Sequence, residues 1–258
     1  MALTDSLVSH WALNEASGNA LDSHSTNHLT ETGGTIASAT GKVGNCRDFE
    51  AADTEWFSHA DGGDFDIGDV DFTFACWVNF ESLSRASIIS KGLGVTSGEF
   101  YLLYETAVSR LEFEVYGGIN FGNGTAVAAT DTGIPSTGVW YFIVFWHDSV
   151  GNTINLQVNN GTLNSAAHTT GVYQTTGTFT VGADETATYT DGLIDEVSFW
   201  KRVLTADERT ELYNSGNGLA YPWTSGQPAG RRFGKGNNGL WLPRHRPIEI
   251  GRKGVNVF

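Results

Sequence analysis

Carboxylates are the first candidates for chemistry. Glu112 and Glu114 in the string RLEFEVY alternate with Leu111, Phe113 and Val115, so both acids share one face of a strand. Two carboxylates flanking a glycosidic bond are what sugar hydrolysis needs. Alternation alone, however, puts acids on the solvated face of a half-buried strand, and this pair reads that way. Neither a Gly-x-Ser-x-Gly nucleophile turn nor a His-Glu-x-x-His metal helix occurs. Residues 230–236, GRRFGKG, are one residue short of a phosphate-binding loop and lack its hydroxyl. The seven histidines show no ligand-spaced pair. The chain is therefore expected not to be an enzyme. Aromatic rings offer a different chemistry, a platform for a sugar ring beside polar groups. Trp56, Tyr104, Tyr116 and Trp146 are the candidates, with residues 61–69, DGGDFDIGD, as a polar loop. Against each stands the plainer expectation of a core aromatic or a solvated connection.

The elements that would position these residues read as β-structure. Thirty-two glycines with 31 Phe, Tyr and Trp in 258 residues suit many short strands joined by tight turns. Strands are expected at 7–13, 28–32, 45–50, 56–59, 72–80, 86–91, 100–104, 110–116, 139–147, 153–159, 178–181 and 192–200. The run 139–146 is wholly apolar or aromatic and predicts a central strand covered on both faces. Asn160-Gly161 after the Ile154/Leu156/Val158 alternation predicts a type I′ hairpin turn. One helix is expected, at 205–214: Thr205 and Glu208 make a capping box, and Asn214-Ser215-Gly216 supplies residues that tolerate positive φ. Cys46 and Cys76 sit on apolar strands and are expected to be free thiols.

The stretch DGLIDEVSFWKRVLTADERTELYNSG, residues 191–216, resembles the closing signature of laminin-G-like, concanavalin A-like jelly-roll domains. There a Gly-x-Ile/Leu-Asp-Glu-Val strand precedes a Leu-Ser/Thr-x-x-Glu helix and a Leu-Tyr. HWALNE at 10–15, GKVGNCRDF at 41–49, FTFACWV at 72–78, GVW at 138–140 and VNNG at 158–161 are similar to the family's earlier markers, in the family's order. The 72–78 strand is one residue shorter than the family pattern. The resemblance implies a two-sheet antiparallel jelly-roll sandwich, here with one short helix near its end. It also implies one structural calcium near the sandwich edge, for which Glu15, Asp22, Glu50, Asp53 and Asp195 offer the hard oxygen ligands that ion prefers. Strand alternation puts Asp195 on the packed side with Val197 and Phe199. Backbone N–H groups could satisfy these same carboxylates without any ion. Some hydrolases of this fold carry a Glu-x-Asp-x-x-Glu strand, and no such string is present.

Charge divides the chain. The net charge is −14, which argues against nucleic acid as a partner of the main body. Residues 224–258 nevertheless hold seven basic residues against the single Glu249, and four of the five prolines fall after residue 221. Two domains are expected: the sandwich at 1–223 and a basic extension at 224–258. The extension reads as a docking arm toward another protein subunit, with Arg231, Arg232, Arg244 and Arg246 for charge and Trp241, Ile248, Ile250 and Phe258 as apolar anchors. No basic n-region opens the chain and no run is long enough to insert into a membrane. These features suggest a non-catalytic module on a multi-subunit surface, such as a virion decoration, tail or fibre protein touching glycans. The alternative is a free carbohydrate-binding or adhesion domain holding calcium at an extracellular surface; a third reading, a glycoside hydrolase, requires two rim carboxylates to converge from different strands.

Overall fold

In a computed structural model the described residues are 1–93 and 96–223. The docking-arm residues Arg231, Arg232, Trp241, Arg244, Arg246, Ile248, Ile250 and Phe258 lie outside them. Fifteen strands follow in chain order: β1 (Leu7–Trp11), β2 (Thr30–Thr32), β3 (Ala37–Thr40), β4 (Asn45–Phe49), β5 (Trp56–His59), β6 (Phe72–Phe80), β7 (Ala86–Leu93), β8 (Ser97–Glu105), β9 (Arg110–Val115), β10 (Thr125–Ala128), β11 (Trp140–Asp148), β12 (Thr153–Val158), β13 (Leu163–Ala167), β14 (Thr178–Val181) and β15 (Gly192–Trp200). They form two antiparallel sheets. The eight-stranded sheet runs β13-β12-β11-β6-β15-β4-β3 with β1 also paired to β15, and the seven-stranded sheet runs β10-β9-β8-β7-β14-β5-β2.

The sheets face each other across an aromatic core. Phe74 of β6 lies 4.4 Å from Phe199 of β15 with rings nearly parallel, and stacks at 5.3 Å on Phe145 of β11 and 5.6 Å on Phe179 of the opposite sheet. Alternation along β6 and β11 sends Phe72, Phe74, Cys76, Val78, Ile143 and Phe145 into this core. The intervening Ala75, Trp77, Phe142, Val144 and Trp146 go to a second apolar cluster on the outer side. That second cluster is closed by Leu3, Leu204, Leu212 of the helix, and Trp223. The strand expected to be covered on both faces is indeed β11. Cys46 and Cys76 are buried and unpaired.

The helix α1 (Ala206–Tyr213) begins and ends as its sequence predicts. Thr205 Oγ1 accepts from the Glu208 N–H while Glu208 accepts from the Thr205 N–H, and Asn214 takes the left-handed conformation at the C-cap. Two local expectations shift. The turn between β12 and β13 has positive φ at Asn159 and Asn160, closed by Gly161 N–H to Val158 O, so it sits one residue earlier than Asn160-Gly161. Asparagine tolerates left-handed backbone well enough to fill both central positions. In β15 the register against β6 breaks between Asp195 and Ser198, with Glu196 at φ 52°. This bulge inserts one residue and reverses the alternation. Asp195 therefore pairs with Trp77 on the outer side instead of sharing the packed side with Val197 and Phe199.

Candidate functional site

The two outer faces differ in what covers them. The eight-stranded sheet is roofed by α1 and the segment through Trp223. The seven-stranded sheet carries an open groove built from β5, β14, the loop 182–191, β8 and β9.

At one end Trp56 and Ser58 alternate outward along β5 while Phe57 enters the core. Thr178 and Thr180 do the same on β14 around Phe179. Asp184 folds the following loop: its Oδ1 accepts from Thr186 N–H (2.8 Å), Thr186 Oγ1 (2.6 Å) and Thr188 N–H (3.1 Å). Ala187 turns the chain with φ 64°, and Tyr189 returns to bridge Ala183. The Tyr189 ring thereby stands 5.8 Å from that of Trp56, tilted by 37°. Together with Thr32, Ser58, Asp184 and Glu185 these rings enclose a hollow of about 410 Å³. Glu185 accepts from the Thr178 N–H at 2.8 Å.

Asp184 also lines a second hollow of about 110 Å³ with Arg85, Tyr101, Glu114, Tyr116, Phe121 and Thr186. Asp184 is thus a wall common to both hollows. Tyr116 lies edge-on to Tyr101 at 6.0 Å and to Phe121 at 5.1 Å, and its hydroxyl donates to Glu114 at 2.7 Å. Close backbone approach makes room for Tyr101: a Cβ at Gly92 would lie 2.3 Å from its hydroxyl, and one at Gly98 2.4 Å from its ring. Arg85 is fixed by Glu105 (2.8 Å) and Thr188 (3.1 Å), and it stands 3.9 Å from Asp184 Oδ2. That last distance is too long for a hydrogen bond. Asp184 Oδ2 and the partly exposed Arg85 therefore present an acceptor and a donor to the groove.

Of the four aromatic candidates, Trp56 and Tyr116 line this groove. Tyr104 does not: it points into the core, 6.0 Å from Phe80. Trp146 does not either, because it belongs to the roofed face with the Arg209 guanidinium 4.3 Å over its ring. Tyr189, Tyr101, Phe121, Arg85 and Asp184 escaped the sequence reading. The run FYLLY hides which tyrosine faces out, although glycines 92 and 98 mark where a large ring needs space. The polar loop 61–69 is structural: Phe65 and Ile67 plug the core, and Asp61 pairs at 2.8 Å with the buried Lys91.

The proposed calcium ligands scatter. Asp22 accepts four backbone N–H groups, from His10, His24, Ser25 and Asn27. Glu15 holds Leu21 N–H at 2.9 Å, and Asp195 holds Val43 N–H at 2.9 Å. Asp53 is exposed in a 3₁₀ turn. Among the described residues the acidic trio whose ligand atoms lie within 4.8 Å of one another is Asp48, Glu50 and Glu81, which includes one of the five. Burial, and then neighbouring carboxylates including Asp191, raise the pKa of all three. All-oxygen donors fit a hard cation, but exposed acids cluster without one as well.

A third constellation lies beneath the roof. His10 Nδ1 is 2.8 Å from Ser198 Oγ, and its Nε2 faces Glu196 Oε2 at 3.4 Å. Tyr221 stacks on the His10 ring at 4.7 Å and Trp223 packs edge-on at 5.1 Å. Serine, histidine and an acid suggest a nucleophile, yet the adjoining hollow measures about 10 Å³, scarcely one water.

The family model that describes the concanavalin A-like lectin/glucanases superfamily, of laminin G type, matches residues 53–208, more than half of the chain. The chain belongs to that superfamily. Its lectin/glucanase-like fold recurs in solved structures of low identity. Domain 4 of AbnA, a GH43 extracellular arabinanase from Geobacillus stearothermophilus solved with arabinotriose, is 19% identical with a TM-score of 0.64, covering 80% of this chain and 97% of that one. The binding domain of Paraclostridial Mosquitocidal Protein 1 is 13% identical with a TM-score of 0.65, covering 82% and 52%. The botulinum neurotoxin serotype C1 binding domain is 11% identical with a TM-score of 0.60, covering 82% and 52%. The chain thus spans about half the length of these two toxin binding domains. No curated protein matches the chain by sequence. Among the described residues no helix is long and apolar enough to cross a membrane.

Proposed function

We propose that this domain is a non-catalytic carbohydrate-binding module that holds a glycan in the groove on the outer face of the seven-stranded sheet. The observation that carries this reading is the pair of half-buried rings, Trp56 and Tyr189, beside hydroxyls and carboxylates around one open hollow. Such rings stack on the apolar face of a sugar while the polar groups take its hydroxyls. The arabinotriose complex of the AbnA domain supports a sugar-binding use of the fold.

Immobilised glycans and calorimetry on the full chain test the reading. Trp56→Ala should weaken capture at least about tenfold, or about 1.4 kcal/mol, without releasing sugar ends in either protein. Unchanged binding by Trp56→Ala, or capture of no glycan at all, refutes it. The charge contrast between residues 1–223 and 224–258 supports display on an extracellular, multi-subunit surface such as a virion, with the extension as docking arm. A salt-sensitive oligomer of the full chain in light scattering is the expected result.

A further inference from the structure

We propose, resting on the glycan-binding reading above, that the groove takes an uncharged linear oligosaccharide that crosses over Asp184, with one sugar against Trp56 and Tyr189 and another against Tyr116 and Phe121. Two observations carry this. Asp184 lines both hollows, so a ligand longer than one ring that passes over it would meet an aromatic patch in each. The linkage between them would pass the Asp184 Oδ2 acceptor and the Arg85 donors, a combination that suits hydroxyls, which both give and take hydrogen bonds. The lining holds three carboxylates, Asp184, Glu185 and Glu114, against one guanidinium, and Glu105 already engages that guanidinium at 2.8 Å. Among the described residues of the lining, an anionic sugar would bring its charge beside these acids, where the one guanidinium is already engaged by Glu105. The site therefore rejects uronic and sialic acids by repulsion as well as by lost solvation.

Calorimetry on the full chain decides this with arabino-, xylo- and cello-oligosaccharides, each as disaccharide and pentasaccharide, and with oligogalacturonate as the anionic probe. At least one neutral pentasaccharide should bind about tenfold more tightly than its disaccharide. Tyr116→Ala should remove that gain and leave the disaccharide unaffected. Phe121→Ala is the second variant should Tyr116→Ala fold poorly by circular dichroism. Asp184→Asn should narrow the margin between neutral and anionic chains. Disaccharide and pentasaccharide binding equally, both lost in Trp56→Ala, overturns the two-patch inference and leaves the glycan-binding reading standing. Oligogalacturonate binding as tightly as the neutral chains overturns the charge selection. Binding of none of the probes overturns both the inference and the reading beneath it.

Discussion

Replacing Glu196 by glutamine should stabilise the protein at neutral pH. Its carboxyl is 7% exposed and faces His10 Nε2 at 3.4 Å, and neither of those two atoms has a hydrogen-bond partner. Burial, and secondarily the neighbouring Asp195, push the Glu196 pKa up to about 9, while burial lowers that of His10 to about 3. Both groups are thus neutral at pH 7. With Nδ1–H donating to Ser198 Oγ, the Nε2 lone pair is left facing the protonated carboxyl. The native state keeps this proton up to about pH 9, whereas the unfolded chain releases it near the ordinary value of 4.5. Between those limits the native state binds more protons, so stability falls as pH rises, by about 1.4 kcal/mol per unit. At pH 7 the accumulated loss is about 3 kcal/mol.

Glu196→Gln keeps the shape, offers an amide N–H toward Nε2 and does not titrate. Its advantage should be near zero at pH 4.5, about 3 kcal/mol at pH 7 and larger at pH 9. His10 acts in the opposite sense: its contribution grows as pH rises from about 3 to 6.5, but it is common to both proteins and cancels in the difference. Denaturant titrations of both proteins across this range measure the gap. A variant that is less stable than the parent near neutral pH, with a deficit that shrinks as pH rises, would refute the reasoning. That result would mean that Glu196 and His10 form a buried ion pair, whose disruption typically costs about 3–5 kcal/mol.

Other consequences are direct. Phe74→Ala removes the ring on which Phe145, Phe179 and Phe199 stack and should cost about 3–5 kcal/mol in denaturant unfolding, from lost transfer energy and the cavity left behind. Thr205→Ala breaks the capping box and should cost about 1 kcal/mol, with no change in glycan capture, because α1 roofs the opposite sheet. Gly98→Ala places a methyl 2.4 Å from the Tyr101 ring and should weaken pentasaccharide binding more than disaccharide binding, as calorimetry would show.

How much of this was legible depended on the strand in question. Interior strands announced themselves: β6 and β11 lie within a residue of where their apolar runs suggest, because burial on two faces demands such runs, and β15 spans the residues that its alternation marks. The strands missing from the sequence reading are β3, β10 and β13, and each is the edge of a sheet. β3 and β13 are mostly exposed and β10 fully buries only Val127, so backbone pairing with one neighbour holds them and no side-chain periodicity records it. The bulge at Asp195–Glu196 was illegible for a related reason. One extra residue reverses the phase of alternation, and nothing in the string IDEVSFW shows where that happens.

The candidate site exposes a deeper limit. Trp56 and Trp146 both leave the core side of their strands, and local sequence treats them alike. Their difference lies in what the rest of the chain lays over them. Trp146 is covered by Arg209 from a helix more than sixty residues later, with the guanidinium both over the indole and bonded to Gln157 and Leu204 O. Among the described residues no helix covers Trp56; it pairs with Thr32 of β2, and the Asp184 loop brings a second ring beside it. An outward aromatic on a sandwich strand therefore becomes structural or functional according to whether a distant segment closes its face. Here, among the described residues, the segment after β15 closes the outer face of the eight-stranded sheet, whereas Trp56 and Tyr189 on the seven-stranded sheet stay half-buried around an open hollow.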